Sequence, residues 1–309
     1  MKEIKTVAMV GCGAVGALYG IRLWKHLGAD FQIVASGSRK ERYERDGFVI
    51  NNELVHFPIV SPEALQPVDF FIFATKNLQL ETAIEESRKA IGPSTIVLSL
   101  LNGIDSEYRL AEEFGKENVL FGFCVGMSSV HVGNHIDFSS EGSIVFGDGD
   151  NRSTLQVKSV ATLLEASGIS HVVPQNIRHD QWKKFMMNTA YNTLSSICRA
   201  GYGVFAGDAL KKLVWQVNDE VQKVAAAEGV ILTEDDKASN QKIILSIDPM
   251  GKTSMYQDME AGRPTENNWF CGTVVRLGEK HGLATPVCAT LNLMAQACED
   301  ANQARREQQ

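Results

Sequence analysis

The chain has 309 residues, of which 44% are hydrophobic and 22% charged, with 8 prolines, the profile of a folded globular protein of about two domains. A net charge of -7 and the lack of any Lys/Arg cluster exclude a protein that grips the phosphates of nucleic acid. No run reaches the roughly 18 apolar residues that a membrane crossing needs.

Met1-Lys2-Glu3-Ile4-Lys5-Thr6-Val7 leads straight into a strand pattern without an apolar signal core, which points to a cytoplasmic protein. Cys12, Cys124, Cys198, Cys271, Cys288 and Cys298 show neither C-x-x-C nor Cys/His ligand spacing, so buried reduced thiols are expected and a metal site is not.

Ile4 to Val10 is a short apolar run, followed at once by Gly11-Cys12-Gly13-Ala14-Val15-Gly16 and a helical pattern through Leu18, Ile21, Leu23 and Leu27. Strand, G-x-G-x-x-G and helix in that order predict dinucleotide binding. Gly11 permits the tight turn, Gly13 lets backbone approach a pyrophosphate, and Gly16 lets helix and strand pack closely. The second strand should be Phe31 to Val34, where an NAD site usually ends in Asp or Glu; here Ala35-Ser36-Gly37-Ser38-Arg39-Lys40 follows. A hydroxyl-rich loop with Arg39, Lys40 and Arg42 suits a 2'-phosphate instead, so NADP(H) is expected over NAD(H), with Ser36 or Arg39 as the holder.

Further strands are expected at Asp69 to Ala74, Ile96 to Leu100, Val119 to Gly122, Gly142 to Phe146 and Ile169 to Val173, with helices near Leu80 to Ile91 and Thr154 to Ser167. The alternation indicates an α/β fold with a doubly wound parallel sheet. Ligands on such sheets bind beyond the strand C-termini, which singles out Thr75-Lys76 and Leu101-Asn102-Gly103, although either could be a plain turn.

After Pro174 the strand pattern stops, placing a boundary near Asn176: residues 1–176 form one domain and 177–309 a second, all-helical one. Its helices are expected at Arg178 to Ala200, Asp208 to Glu228, Glu234 to Ser246, Ser254 to Ala261, Glu266 to His281 and Pro286 to Arg305, with Gln303 to Gln309 a fraying polar tail. The first helix is apolar on most sides, through Phe185, Met186, Met187, Ala190, Tyr191, Leu194 and Ile197. Lys184, Asn188 and Asn192 interrupt it at intervals of four and share a seam. Such a seam faces a polar neighbour across a domain or subunit contact, or it faces a ligand. Thr265 and Glu266 read locally as an N-cap and a first-turn acid.

Gly11-Cys12-Gly13-Ala14-Val15-Gly16, Thr75-Lys76, Asn102-Gly103, Trp182-Lys183-Lys184 with Asn188 and Asn192, Ser254-Met255-x-Gln257-Asp258, Gly262-Arg263-x-Thr265-Glu266 and His281-Gly282-x-x-x-Pro286 occur in one order. Across nearly its whole length the chain resembles the ketopantoate reductase (2-dehydropantoate 2-reductase) family. The resemblance implies a Rossmann domain followed by a helical substrate domain, with NADPH and a 2-oxo acid held in the cleft between them. It implies Lys184 as the catalytic lysine, Glu266 as the active-site glutamate, Asn188, Asn192 and Ser254 as substrate contacts, and Lys76 and Asn102 near the cofactor. NADPH-dependent reduction of 2-dehydropantoate to pantoate in pantothenate biosynthesis follows, with a homodimer compatible with the long C-terminal helices. The alternatives are reduction of another 2-oxo acid, or a non-catalytic NADP-binding sensor. Departures from the family pattern are Leu101 for glutamine, Gly251 and Tyr202 for asparagines, Asn267-Asn268 for Ile-Asp, and Ser36 for arginine.

Overall fold

The computed structural model describes residues 3–307 and divides into two compact units, one running to Ile177 and one beginning at Arg178. Met1 and Lys2, the start of the leader-free reading, lie outside the described residues.

The first unit is built on one ten-stranded sheet. Its chain order is β1 (Val7–Val10), α1 (Ala14–Leu27), β2 (Phe31–Val34), α2 (Gly37–Asp46), β3 (Phe48–Ile50), β4 (Glu53–Val55), β5 (Ile59–Val60) and β6 (Phe70–Phe73). It continues through α3 (Leu80–Ser87), β7 (Ile96–Ser99), α4 (Ser106–Phe114), β8 (Val119–Val132), β9 (His135–Gly147), α5 (Leu155–Ala166) and β10 (His171–Val172). The strands lie in the order β4-β3-β9-β8-β7-β6-β1-β2-β5, with β10 added to β9. From β5 to β8 neighbours run parallel, so the strand order reverses at β1 and β6, where doubly wound sheets bind ligands. Both faces are covered. Val7, Met9, Phe31, Ile33, Phe70 and Ile72 pack with Ala17, Leu18 and Ile21 of α1 on one side, and Ala8, Val10, Phe71 and Phe73 pack with Leu80 and Ile84 of α3 on the other. Burial on both faces is why these strands read as unbroken apolar runs rather than alternating ones.

Two features depart from the sequence expectation. Val119 to Gly122 and Gly142 to Phe146 are the inner ends of one long antiparallel ribbon, which pairs Phe121 with Gly147 and Val132 with His135, with a register shift between Ser128 and Ser129. Its outer half is largely exposed and rich in Ser, Gly and His, so no apolar period announces it. β3 and β4 form an unexpected hairpin whose turn, Asn51-Asn52, has φ of 46° and 67°. Asparagine tolerates that left-handed pair, and it matches the strand twist.

The second unit is helical: α6 (Ile177–Met187, beginning at the last residue of the first unit), a π-helical segment at Asn188–Asn192, α7 (Thr193–Cys198), α8 (Asp208–Ala227), α9 (Glu234–Ser246), α10 (Ser254–Glu260), α11 (Cys271–His281) and α12 (Pro286–Glu307). The single helix expected from Arg178 to Ala200 is thus interrupted by a wider turn and ends at Arg199 in the left-handed region. The helix expected from Glu266 breaks at Phe270 (φ -115°, ψ -95°), so Glu266 precedes a short 3-10 turn at Asn267–Trp269 and α11 starts at Cys271. α12 continues to Glu307 where fraying was expected, because Arg306 donates to Gly262 O at 2.9 Å and Gln303 to Glu307 at 3.0 Å. Gln308 and Gln309 lie outside the described residues.

α9 is fastened to α6 by polar groups. Asp236 closes a capping box on Thr233 and accepts from His179 Nε2 at 3.2 Å, while Asn240 donates to the Lys183 carbonyl at 2.9 Å. The helix that carries Lys184 is therefore held from outside by α9. His179 belongs to this tie. Among the described residues no helix is long and apolar enough to cross a membrane.

Candidate active site

In the first unit the glycine motif occupies the β1–α1 turn, beyond the C-terminal end of β1. Gly11 has φ +91°, and a Cβ there would sit 2.6 Å from the carbonyl carbon of Ala74, so only glycine lets the turn lie against the end of β6. A Cβ on Gly16 would be 2.1 Å from the Gly11 oxygen, which fixes the helix tight on the turn. Gly13 is different in kind: nothing lies within 4 Å of the position its Cβ would take. That open face, at the N-terminus of α1, is the cradle a pyrophosphate requires. Ala14 and Val15 begin the helix and pack on the core, as does Cys12, whose thiol is pushed up by burial and is no nucleophile.

The loops after β6 and β7 meet. Asn77 Nδ2 donates to the Asn102 carbonyl at 2.9 Å, which ties the Thr75-Lys76 corner to Asn102-Gly103 at the strand ends. Thr75 Oγ1 is buried there without a hydrogen-bond partner among the described residues. A shaped backbone cradle with an unanswered hydroxyl beside it fits a bound dinucleotide.

Ser36 stands at the N-cap of α2, yet its hydroxyl makes no capping bond. It donates instead to Glu86 on α3 at 2.5 Å, and Arg39 Nη2 pairs with the other oxygen of the same carboxylate. Arg39 Nε is buried without a partner among the described residues. Glu86 is the residue that sequence reasoning missed. It lies far from the motif in the chain, and nothing in α3 marks which of Glu81, Glu85 and Glu86 turns inward.

In the second unit the seam of Lys184, Asn188 and Asn192 is straighter than an α-helix allows. Four residues at about 100° each carry Lys184 to Asn188 with a drift of about 40°. The π-helical turn, with about 4.4 residues per turn, carries Asn188 to Asn192 with a drift of about 30° in the opposite sense. By these ideal windings the two nearly cancel and bring Asn192 back in line with Lys184, whereas an unbroken α-helix would leave it about 80° away. Asn188 and Asn192 are each 8% exposed, and Lys184 is half-buried. Asn192 Nδ2 donates to Ser254 Oγ at 3.5 Å, so the first residue of α10 joins the seam.

Thr253 holds α10 in place: it caps Tyr256 N at 3.1 Å and donates to Ser195 Oγ on α7 at 3.2 Å. Glu266 is buried at 7% exposure between two anchored neighbours. Thr265 N donates to Glu299 at 3.1 Å, while Asn267 accepts from Thr193 at 3.2 Å and donates to Asn292 at 2.6 Å. The departure at Asn267 is thus a hydrogen-bonded core position. The departures at Gly251 and Tyr202 are linked: a Cβ on Gly251 would meet the Tyr202 ring at 3.3 Å, and Tyr202 N donates to Gly251 O at 3.0 Å.

The model for the ketopantoate reductase PanE/ApbA family matches residues 7–151, and that for the C-terminal part of the same family matches residues 176–299. The chain belongs to this family. Ketopantoate reductases are NADP-dependent oxidoreductases with a Rossmann-type unit followed by a helical one, and this chain is an oxidoreductase of that fold. The 2-dehydropantoate 2-reductase of Archaeoglobus fulgidus is 27% identical over 290 residues, spanning 94% of this chain and 96% of its own length. Among solved structures, a D-mandelate dehydrogenase with NADH and anilino(oxo)acetate superposes with a TM-score of 0.86 at 26% identity, over 96% of this chain and 99% of that one. A PanE/ApbA family ketopantoate reductase from Ralstonia eutropha gives 0.84 at 26% identity with the same coverage.

Proposed function

We propose that this chain reduces the 2-oxo group of 2-dehydropantoate to give pantoate, with NADPH as reductant, as in pantothenate biosynthesis. The observation that carries this reading is the realigned seam of Lys184, Asn188 and Asn192 with Ser254 beside it, on a chain of the ketopantoate reductase family.

The first unit would hold the dinucleotide through the Gly11-Cys12-Gly13-Ala14-Val15-Gly16 turn, Ser36, Arg39, Lys76 and Asn102. Bound NADPH supplies the hydride that adds to the ketone carbon. The protein's own work is charge and position. As the carbon–oxygen π bond breaks toward oxygen, the Lys184 ammonium stabilises the developing alkoxide and gives it a proton from Nζ. Asn188, Asn192 and Ser254 supply amide and hydroxyl groups for the substrate's carboxylate and hydroxyl. Glu266 keeps a negative charge in the helical unit for the lysine or for a substrate hydroxyl. Lys184 regains its proton from solvent after product leaves.

A second reading, reduction of a different 2-oxo acid by the same chemistry, is favoured by the Gly251/Tyr202 pair, an aromatic ring against a glycine at two positions where the family resemblance implies asparagine in some members. It agrees with the D-mandelate dehydrogenase neighbour and its anilino(oxo)acetate. The deciding experiment follows the loss of reduced-cofactor absorbance with 2-dehydropantoate and a panel of aromatic and branched 2-oxo acids, using NADPH and NADH in parallel. Fast, NADPH-preferring turnover of 2-dehydropantoate is expected. Turnover confined to another acid would move the substrate and keep the chemistry, and cofactor binding without turnover of any acid would refute both readings.

A further inference from the structure

The loop after β2 carries no acid, but the fold delivers one to it. Glu86 of α3, with a side chain 10% exposed, bridges Ser36 Oγ at 2.5 Å and the guanidinium of Arg39, itself 30% exposed. These are the two donors that would hold a ribose 2'-phosphate, about 20 residues beyond the glycine motif. One carboxylate now takes a hydrogen bond from each. A dianionic phosphate entering there would have to displace Glu86 from both and stay close to its charge in a partly buried place. A ribose 2'-hydroxyl meets the reverse situation, since it can donate to a carboxylate already fixed by Arg39, as the acid at the end of the second strand does in NAD sites.

We propose that Glu86 is the residue that sets discrimination at the cofactor's 2'-position: it competes with a 2'-phosphate for Ser36 and Arg39 and accepts a 2'-hydroxyl, which blunts the preference for NADPH and admits NADH. The residue acts through charge and occupancy rather than through contact with the reacting atoms. This inference rests on the assignment of Ser36 and Arg39 to the 2'-position made above.

The test is calorimetric binding to the full-length protein in the absence of any 2-oxo acid. NADPH, NADH, adenosine 2',5'-bisphosphate and adenosine 5'-monophosphate are titrated into the unsubstituted protein, Glu86→Gln, Glu86→Ala and Arg39→Ala, each checked by thermal unfolding. Removing the charge should raise the NADPH-to-NADH affinity ratio about tenfold or more in both Glu86 variants, and raise the bisphosphate-to-monophosphate ratio with it. Arg39→Ala should lower both ratios. Unchanged ratios in the Glu86 variants, or a fall showing that Glu86 only presents Arg39 to the phosphate, would overturn the proposal. If Arg39→Ala leaves NADPH affinity unaltered, the assignment of the 2'-position itself fails, a result separate from the behaviour of Glu86.

Discussion

Gly13 and Gly16 stand three residues apart in one motif and should fail in opposite ways when given a methyl group. A Cβ on Gly16 lies 2.1 Å from the Gly11 oxygen, 3.0 Å from its carbonyl carbon and 3.4 Å from Met9 Sδ. Ordinary contact begins at about 3.4 Å, so α1 would have to retreat from the turn by more than about 1 Å, and the obstacle is backbone. We expect Gly16→Ala to destabilise the first unit by roughly 3 kcal/mol and to weaken nucleotide binding as a by-product. Gly13 meets nothing within 4 Å, and its φ of -80° suits any residue. Gly13→Ala should change stability by no more than about 0.5 kcal/mol, since a lost cap glycine and a stiffer unfolded chain nearly offset each other. It should still weaken NADPH binding roughly 10- to 100-fold by filling the space kept for the pyrophosphate. Urea unfolding without nucleotide, paired with fluorescence titration of NADPH, separates the two. A Gly13→Ala protein that binds NADPH normally, or that unfolds as easily as Gly16→Ala, would refute the reasoning.

The other predictions concern the helical unit. Lys184→Ala should lower kcat about 10²- to 10⁴-fold with NADPH affinity nearly unchanged, measured by steady-state rates and by titration; near-normal kcat would remove Lys184 from the proton-transfer role. Burial would raise the Asp236 carboxyl, but hydrogen bonds from the Thr233 backbone and side chain and the charge of His179 outweigh it and hold the carboxyl below its usual range. A depressed carboxyl contributes stability above its unfolded pKa of about 4 and loses it as pH falls through the folded value. Asp236→Asn should therefore cost about 1–2 kcal/mol at pH 7 and progressively less below about pH 4, read from urea midpoints across pH; a gap constant with pH would contradict this. Tyr191, whose hydroxyl is pushed up to about 12 by burial, has that hydroxyl buried without a hydrogen-bond partner among the described residues. Tyr191→Phe should leave stability equal or raise it by about 1 kcal/mol, and a loss of that size would reveal a bridging group.

Legibility in the sequence follows what each feature depends on. The glycine turn and the parallel strands β1, β2, β6 and β7 were readable because local conformation and two-sided burial leave a mark at short range. Lys184, Asn188 and Asn192 were readable as a seam from their spacing, but the wider turn that straightens it was not, since its register is imposed by what packs around Ala190 and Tyr191. Glu86 was unreadable for a related reason: only the fold brings α3 to the end of β2. The outer part of the β8–β9 ribbon carries no apolar period, and the break at Phe270 hides within a helical apolar spacing through Phe270, Val274 and Leu277.

The wider turn at Asn188–Asn192 makes the winding, more than residue identity, the constraint on this stretch. It amounts to one residue more than a plain helix would need between the same two ends. Winding the same residues as a plain α-helix would turn Asn192 by about 70° relative to Lys184 without altering either side chain, whereas deleting one residue would leave it within about 30°. Homologous helices aligned by letters alone can thus match at every asparagine and still present them in different directions.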